Sequence, residues 1–256
     1  MVKYLKKLNW IISAQFGFDI RIFICAFPRF IRFLKSYIEF KKHYKGKVEI
    51  KPCLHDFNKS AGDIKNEYFW QDLLAAQIVL QKNPKSILDI GSRIDGFVAH
   101  IASSRQLTLM DVRPIKNEIK NVNFLQMDLM QDVKSEELFE VITCLHVLEH
   151  FGLGRYNDAI NPSGYIVGLN NIFKLMEEGG SFILATPAGR PRVEFNANMI
   201  FSPFDIIQIA IDAGLELIQI FEVHSDCEPT KVNINDQTLK SYEAADYALL
   251  LYEFKK

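Results

Sequence analysis

The chain has 256 residues, 48% of them apolar and 24% charged, with a formal net charge of −1. That is enough apolar material for one large domain with an appendage, and the near-zero charge argues against nucleic acid as a partner. The balance is uneven, because residues 1–50 carry 11 Lys/Arg against 3 Asp/Glu while the remainder carries 19 against 28, so a basic, aromatic-rich start precedes an acidic body.

Helical periodicity runs to about Tyr44, and a loop follows around Gly46 and Pro52. Residues 1–60 are therefore expected to form a basic helical N-terminal extension, and residues 61–256 the main domain. From Glu67 to Gln81, the residues Phe69, Leu73, Ala76 and Leu80 fall near one helical face, and Asn83-Pro84 stops the pattern. Strands are expected at Ser86–Ile90, Gln106–Met110, Val122–Gln126, Glu140–Leu145, Ser181–Ala185, Leu215–Glu222 and Tyr247–Phe254. Helices are expected between them at Gly96–Ser103, His146–Phe151, Ser163–Met176 and Pro203–Ala213, with a long polar connection from Ser225 to Glu243. This alternation implies an α/β fold with a mainly parallel sheet and helices on both faces.

The cysteines Cys25, Cys53, Cys144 and Cys227 form no CxxC pair and read as reduced, structural thiols of a cytoplasmic protein. No cleavable leader is expected. The apolar stretch from Trp10 to Leu34 is interrupted by Asp19, Arg21, Pro28, Arg29 and Arg32, which makes it a poor membrane span.

The densest chemical signal is Ser86–Phe97. An apolar run closes on Asp89, turns at Gly91 and enters a helical pattern whose free N–H groups face the strand ends. Ser92 and Arg93 stand where dinucleotide enzymes carry their next glycine, so a tightly cradled pyrophosphate is not expected. S-adenosylmethionine, which has no phosphate, tolerates the looser turn. Asp111 ends the second strand about twenty residues later, where a carboxylate accepts ribose hydroxyls at roughly 1.5–3 kcal/mol per charged hydrogen bond. Its bland alternative is a helix cap before Pro114. Asp128 is placed to meet an adenine amine, with Met127 packing on the ring.

The fourth strand runs into His146-Val-Leu-Glu149-His150, three polar residues that would share one face of a helix. A histidine there accepts a proton from a substrate hydroxyl, an effect of roughly 10²–10⁴ in rate. His150 is the expected base, with His146 and Glu149 orienting it. The same residues spell the inverted zinc-protease motif, a reading that needs a third ligand and a peptide cleft. A divalent metal near Glu149, His150 and Asp158 is also left open.

Leu88-Asp-Ile-Gly91 with Asp111, Asp128 and His146-Val-Leu-Glu-His150 resembles a class I S-adenosylmethionine-dependent methyltransferase. In particular it resembles a bacterial family long filed as a domain of unknown function and found among enzymes of surface polysaccharide biosynthesis, such as capsule. The stretches that carry the likeness include Phe27-Pro-Arg-Phe30, Tyr68-Phe-Trp-Gln-Asp72, Gly91–His100, Asp111-Val-Arg-Pro114, Glu149–Tyr156 and Phe195-Asn-Ala197. The resemblance implies a Rossmann-like sheet of seven strands, mainly parallel, with an antiparallel last strand. It implies that Asp89, Gly91 and Asp111, with Ser92 and Arg93 in the same turn, hold S-adenosylmethionine, which leaves as S-adenosylhomocysteine. Asp128 then meets the adenine and His146 lines the methionine moiety. The implied reaction is methylation of a hydroxyl on a nucleotide-linked or lipid-linked saccharide. On the substrate side, Arg155 with Tyr156, and Arg190 with Arg192, are candidates to clamp a diphosphate, and Tyr68, Gln71 and Asp72 lie on the helix that closes over the site.

Residues 1–45 are expected either to pack as an appendage, on the core or a second subunit, or to lie on an anionic membrane surface at its inner face. A non-catalytic binding module and the zinc hydrolase are the competing functions.

Overall fold

The structure, a computed structural model, describes residues 9, 12, 13, 17, 19–54, 57, 64, 66–131, 133 and 137–256. The chain divides into two compact units, Met1–Asp63 and Ile64–Lys256. In the first, helix α1 spans Ile20–His43, carries Pro28 inside it and ends on Lys41, Lys42 and His43. Arg29 Nη1 donates to the Leu54 carbonyl at 3.1 Å, and the Arg32 guanidinium lies 5.0 Å from the Phe57 ring centre. The helical pattern expected before Asp19 falls mostly outside the described residues.

The second unit is built on one eight-stranded sheet of order β3-β2-β1-β4-β5-β10-β8-β9. Its strands are β1 Ile87–Ile90, β2 Leu107–Asp111, β3 Val122–Gln126, β4 Phe139–Leu145, β5 Met176–Ala188, β8 Glu216–Val223, β9 Thr230–Lys231 and β10 Ala248–Lys255. Strands β1 to β5 run parallel, and β10 is inserted antiparallel between β5 and β8. The expected reversed last strand is thus present. The sheet has one strand more than the seven expected, because two residues of the polar connection pair with β8 as the edge strand β9.

Alternate residues of the central strands feed two cores. Leu88, Ile142 and Phe182 face Leu169 and Ile172 of helix α4, Gly164–Lys174, and Ile206 and Ala210 of helix α5, Pro203–Asp212. Ile87, Val141 and Ile183 belong to the second core, with Ala75, Ala76 and Val79 of helix α2, Glu67–Lys82, and Ile101 of the short helix α3, Ala99–Ala102. Burial on both faces is why these strands read as continuous apolar runs.

Three expectations are corrected. The helix expected at His146–Phe151 is a single 3-10 turn, Leu148–His150, because Phe151 is extended and Gly152 and Gly154 take left-handed conformations directly after it. The polar connection contains helix α6, Asp236–Ala244, capped by Asn235, whose side chain accepts from Thr238 N at 2.9 Å. The segment after the fifth strand, where no element is expected before the helix at Pro203, contains a hairpin of β6 Arg192–Glu194 and β7 Asn198–Ile200.

Candidate active site

At the carboxyl ends of β1, β2 and β4 lies a cavity of about 290 Å³, near the lower end of the roughly 300–1,000 Å³ typical of ligand pockets. Of the residues singled out from the sequence, Tyr68, Asp72, Gly91, Ser92, Arg93, Asp111, Asp128, His146, His150, Arg155 and Tyr156 line it. Asp89, Glu149 and Arg190 do not.

Asp89 sits one layer beneath the cavity and builds the turn above it. Fully buried, it accepts from Ser92 N at 3.2 Å, Ser92 Oγ at 2.7 Å and Thr143 Oγ1 at 2.6 Å. Burial pushes its carboxyl up to about 7 against these three hydrogen bonds, and the charge of Asp72 adds to the rise. Gly91 takes φ +66°, and a Cβ there would stand 2.7 Å from Val147 Cγ1, so the turn needs glycine. Gly96 is required for a second reason, because a Cβ would run into Asp72 Oδ2. Burial raises the Asp72 carboxyl, while the hydrogen bond from Gln71 Nε2 at 3.1 Å opposes the rise.

Asp111, at the end of β2, is held by Arg113, whose Nε and Nη2 donate at 3.0 and 2.6 Å and whose backbone N–H donates at 2.8 Å. The Arg113 guanidinium lies 4.4 Å from the Tyr156 ring centre, and that of Arg155 lies 5.3 Å from it. Asp128 turns the chain after β3, accepting from Met130 N at 2.9 Å. Met110, Met127 and Leu129 give this end of the cavity an apolar lining suited to a purine.

On the other side, His146 directly follows β4 with φ +60°, a left-handed conformation that histidine seldom adopts. Its ring stacks on Tyr68 with centres 4.9 Å apart, and its Nδ1 donates to Oε1 of the fully buried Glu149. Burial pulls the His146 imidazole down, but the Glu149 charge and hydrogen bond outweigh it and the net shift is upward. His150 moves the opposite way, lowered first by burial and then by Arg155 and His146 against the pull of Glu149.

The loop from Gly152 wraps around Asp158, which accepts from the backbone of Gly152 and Gly154 at 3.2 Å and of Tyr156 at 2.9 Å. This presents Arg155, whose Nη1 donates to Ala197 O at 2.7 Å and faces His150 Nδ1 at 3.4 Å. Arg190 is exposed on the loop after β5, outside the cavity lining, and Arg192 is bound to Glu194 and the Asp246 carbonyl, so neither forms the second half of a clamp. Arg113 lines the cavity without a role expected from sequence, because its motif hides the pairing with Asp111; Gln71, expected on the closing helix, also lines it, and its buried Oε1 has no hydrogen-bond partner. Among the described residues no group of three His, Cys, Asp or Glu side chains is placed to hold a metal ion, and Asp158 spends its oxygens on backbone N–H groups.

Residues 98–253 match the family described as "Caenorhabditis protein of unknown function, DUF268". That description names no polysaccharide setting. No curated protein matches the chain in sequence. Among solved structures, a proposed methyltransferase of Bacillus halodurans superposes with TM-score 0.50 at 13% identity, covering 72% of this chain and 98% of its own. A methyltransferase dependent on S-adenosylmethionine from Clostridium acetobutylicum gives 0.49 at 11% identity over 87% and 98%. The N-methyltransferase NodS of Bradyrhizobium japonicum, bound to S-adenosylhomocysteine, gives 0.47 at 15% over 72% and 86%. At these identities the Bacillus halodurans superposition is a likeness of fold, that of class I methyltransferases.

Proposed function

The chain belongs to the DUF268 family, and we propose that it is an S-adenosylmethionine-dependent O-methyltransferase acting on a sugar hydroxyl in surface polysaccharide assembly. The observation that carries the reading is the placement of Asp111, Asp128, Gln71 and His146 around one cavity at the strand ends, where open α/β sheets bind nucleotides. The residues fit the cofactor. Gln71 Oε1 is a buried acceptor without a partner, suited to an ammonium group, and the methionine-lined end suits adenine. Asp111 would take the ribose hydroxyls beside Arg113. Bound there, S-adenosylmethionine supplies an electrophilic methyl group on a sulfonium.

The substrate half is drawn from the chain's own groups. Arg155 reaches the cavity with a carbonyl and an imidazole as its partners, so its charge is available to a phosphate or carboxylate on the acceptor. Tyr156 offers a ring on which a sugar packs. His146, Glu149 and His150 supply the proton acceptor.

Helix α1 suits a peripheral membrane contact, which would bring the chain to a lipid-linked acceptor. Ile24, Phe27, Ile31, Leu34 and Ile38 are exposed at helical spacing, Arg29 and Arg32 lie away from that stripe, and Lys35 borders it. Among the described residues no helix is long and apolar enough to cross a membrane.

The direct test is transfer of tritiated methyl from S-adenosylmethionine to a panel of nucleotide sugars. Label in a base-stable ether on one of them supports the reading. Tight S-adenosylhomocysteine binding with no transfer to any sugar would favour a non-catalytic binding module.

A further inference from the structure

We propose that the proton acceptor of this site is His146, acting through Nε2 with the buried Glu149 carboxylate behind it, and that His150 is a positioning residue on the substrate side. This rests on the methyl-transfer reading and deepens it.

The two histidines are held in different ways. His146 Nδ1 is engaged by Glu149 Oε1, which places the proton of the neutral ring on Nδ1. Its Nε2 hydrogen-bonds to no described residue, and the residue lines the cavity. The ring is fixed by its stack on Tyr68 and by a left-handed backbone whose N–H donates to Ala185 O at 2.9 Å. A non-glycine residue held in that region marks a site where the surrounding structure imposes the conformation. His150 is held on the substrate side instead, since its Nδ1 looks at Arg155 Nη1 at 3.4 Å and the Ala197 backbone hydrogen-bonds the ring, while its Nε2, 3.9 Å from Glu149 Oε1, is too far for a hydrogen bond to that carboxylate.

The state of Glu149 gives the dyad its direction. The side chain is fully buried and Oε2 has no hydrogen-bond partner. A buried carboxylate is costly unless a cation or further donors compensate it. The imidazolium formed when His146 takes a proton is that cation, so the dyad is better compensated after proton transfer than before it. The other ionisable groups facing His146 are Glu67, Tyr68 and Asp72 from α2, and His150 from its own turn; the acids reinforce the same direction. In the reaction, the acceptor's O–H bond breaks as its oxygen bonds the methyl carbon, the C–S electron pair stays on sulfur, and the proton moves to Nε2.

The test is long-range ¹H–¹⁵N NMR of the histidine rings across pH, on the full chain as wild type, His150→Gln and Glu149→Gln, with His146→Gln supplying the assignment. Diethyl pyrocarbonate labelling with and without S-adenosylhomocysteine follows. The proposal expects His146 as the Nδ1–H tautomer in wild type and in His150→Gln. It expects a midpoint for His146 above that of His150, and a fall of that midpoint in Glu149→Gln, which keeps the hydrogen bond but removes the charge. It also expects S-adenosylhomocysteine to slow labelling of His146. An Nε2–H tautomer, or a midpoint unmoved in Glu149→Gln, would overturn the dyad. Protection of His150 with His146 left reactive would hand the role to His150. Should Glu149→Gln fail to fold, the wild-type and His150→Gln tautomers decide alone. Absence of S-adenosylhomocysteine binding would count against the methyl-transfer reading, and the tautomers would still decide the dyad.

Discussion

Asp89→Asn separates a structural carboxylate from a ligand-binding one. Asp89 is fully buried beneath the cavity, and its carboxyl is pushed up to about 7 by burial, against an ordinary value of 3.8. The folded protein therefore holds a proton at this site that the unfolded chain releases near pH 4. Stability from this group is fully present below the unfolded value and is lost as pH rises through the folded one. The loss is about 1.4 kcal/mol per pH unit between roughly pH 4 and pH 7, or about 4 kcal/mol in all. Asparagine is neutral throughout, and its carbonyl in the Oδ2 position still accepts from Ser92 N, while its amide faces the Ser92 and Thr143 hydroxyls, which can rotate to accept. Urea unfolding followed by circular dichroism between pH 5 and pH 8 reads the difference. The stability of Asp89→Asn relative to wild type should rise by about 2–3 kcal/mol across that window and then level off. A difference that does not change with pH would refute the reasoning, and so would a variant least favoured at pH 8.

Asp111→Ala should weaken S-adenosylhomocysteine binding at least about tenfold, or ~1.4 kcal/mol, in a calorimetric titration, since the loss removes the ribose acceptor and frees Arg113; an unchanged affinity would undo the ribose assignment. Asp158→Ala orphans three backbone donors of the loop that presents Arg155 and should cost about 1–3 kcal/mol, with faster amide exchange at Gly152, Gly154 and Tyr156; unchanged exchange would show that the loop is held by other means. Full-length protein should co-sediment with phosphatidylglycerol vesicles and much less with phosphatidylcholine ones, and the triple change Phe27→Ser, Ile31→Ser, Leu34→Ser should abolish this. Vesicle-independent dimerisation lost in the same variant would instead make α1 a subunit contact.

The central strands were legible because a strand buried on both faces has to be apolar end to end, and Ile87–Ile90 and Phe139–Leu145 are interrupted only by Asp89, Glu140 and Thr143. The cofactor-side residues were legible for a related reason: in a parallel sheet the carboxyl ends converge, so acids at 111 and 128 could be placed together from strand order alone. Asp89 shows the limit. A strand-end carboxylate that holds a turn and one that holds a ligand have the same sequence, and only the partners Ser92 and Thr143, the second of them 54 residues away, distinguish them. The helix at His146 fails for want of length, since the residues before Gly152 cannot offset the cost of nucleation once the chain must turn back around Asp158. Helix α6 was hidden because Leu239 is its one buried residue, which leaves little apolar period to read, although Asn235 at its start is a capping signal. Arg190 illustrates the reverse error: a loop arginine near the strand ends in sequence stays outside the cavity once β6 and β7 pair beyond it.

The most direct measurement of the central claim is calorimetric titration of the full-length protein with S-adenosylhomocysteine at pH 7.5. One-to-one binding in the micromolar range, weakened in Asp111→Ala, is the predicted result and would establish the cavity at the ends of β1, β2 and β4 as the cofactor site. No heat of binding from a folded protein would contradict the account, leaving a methyltransferase fold whose cavity serves another ligand.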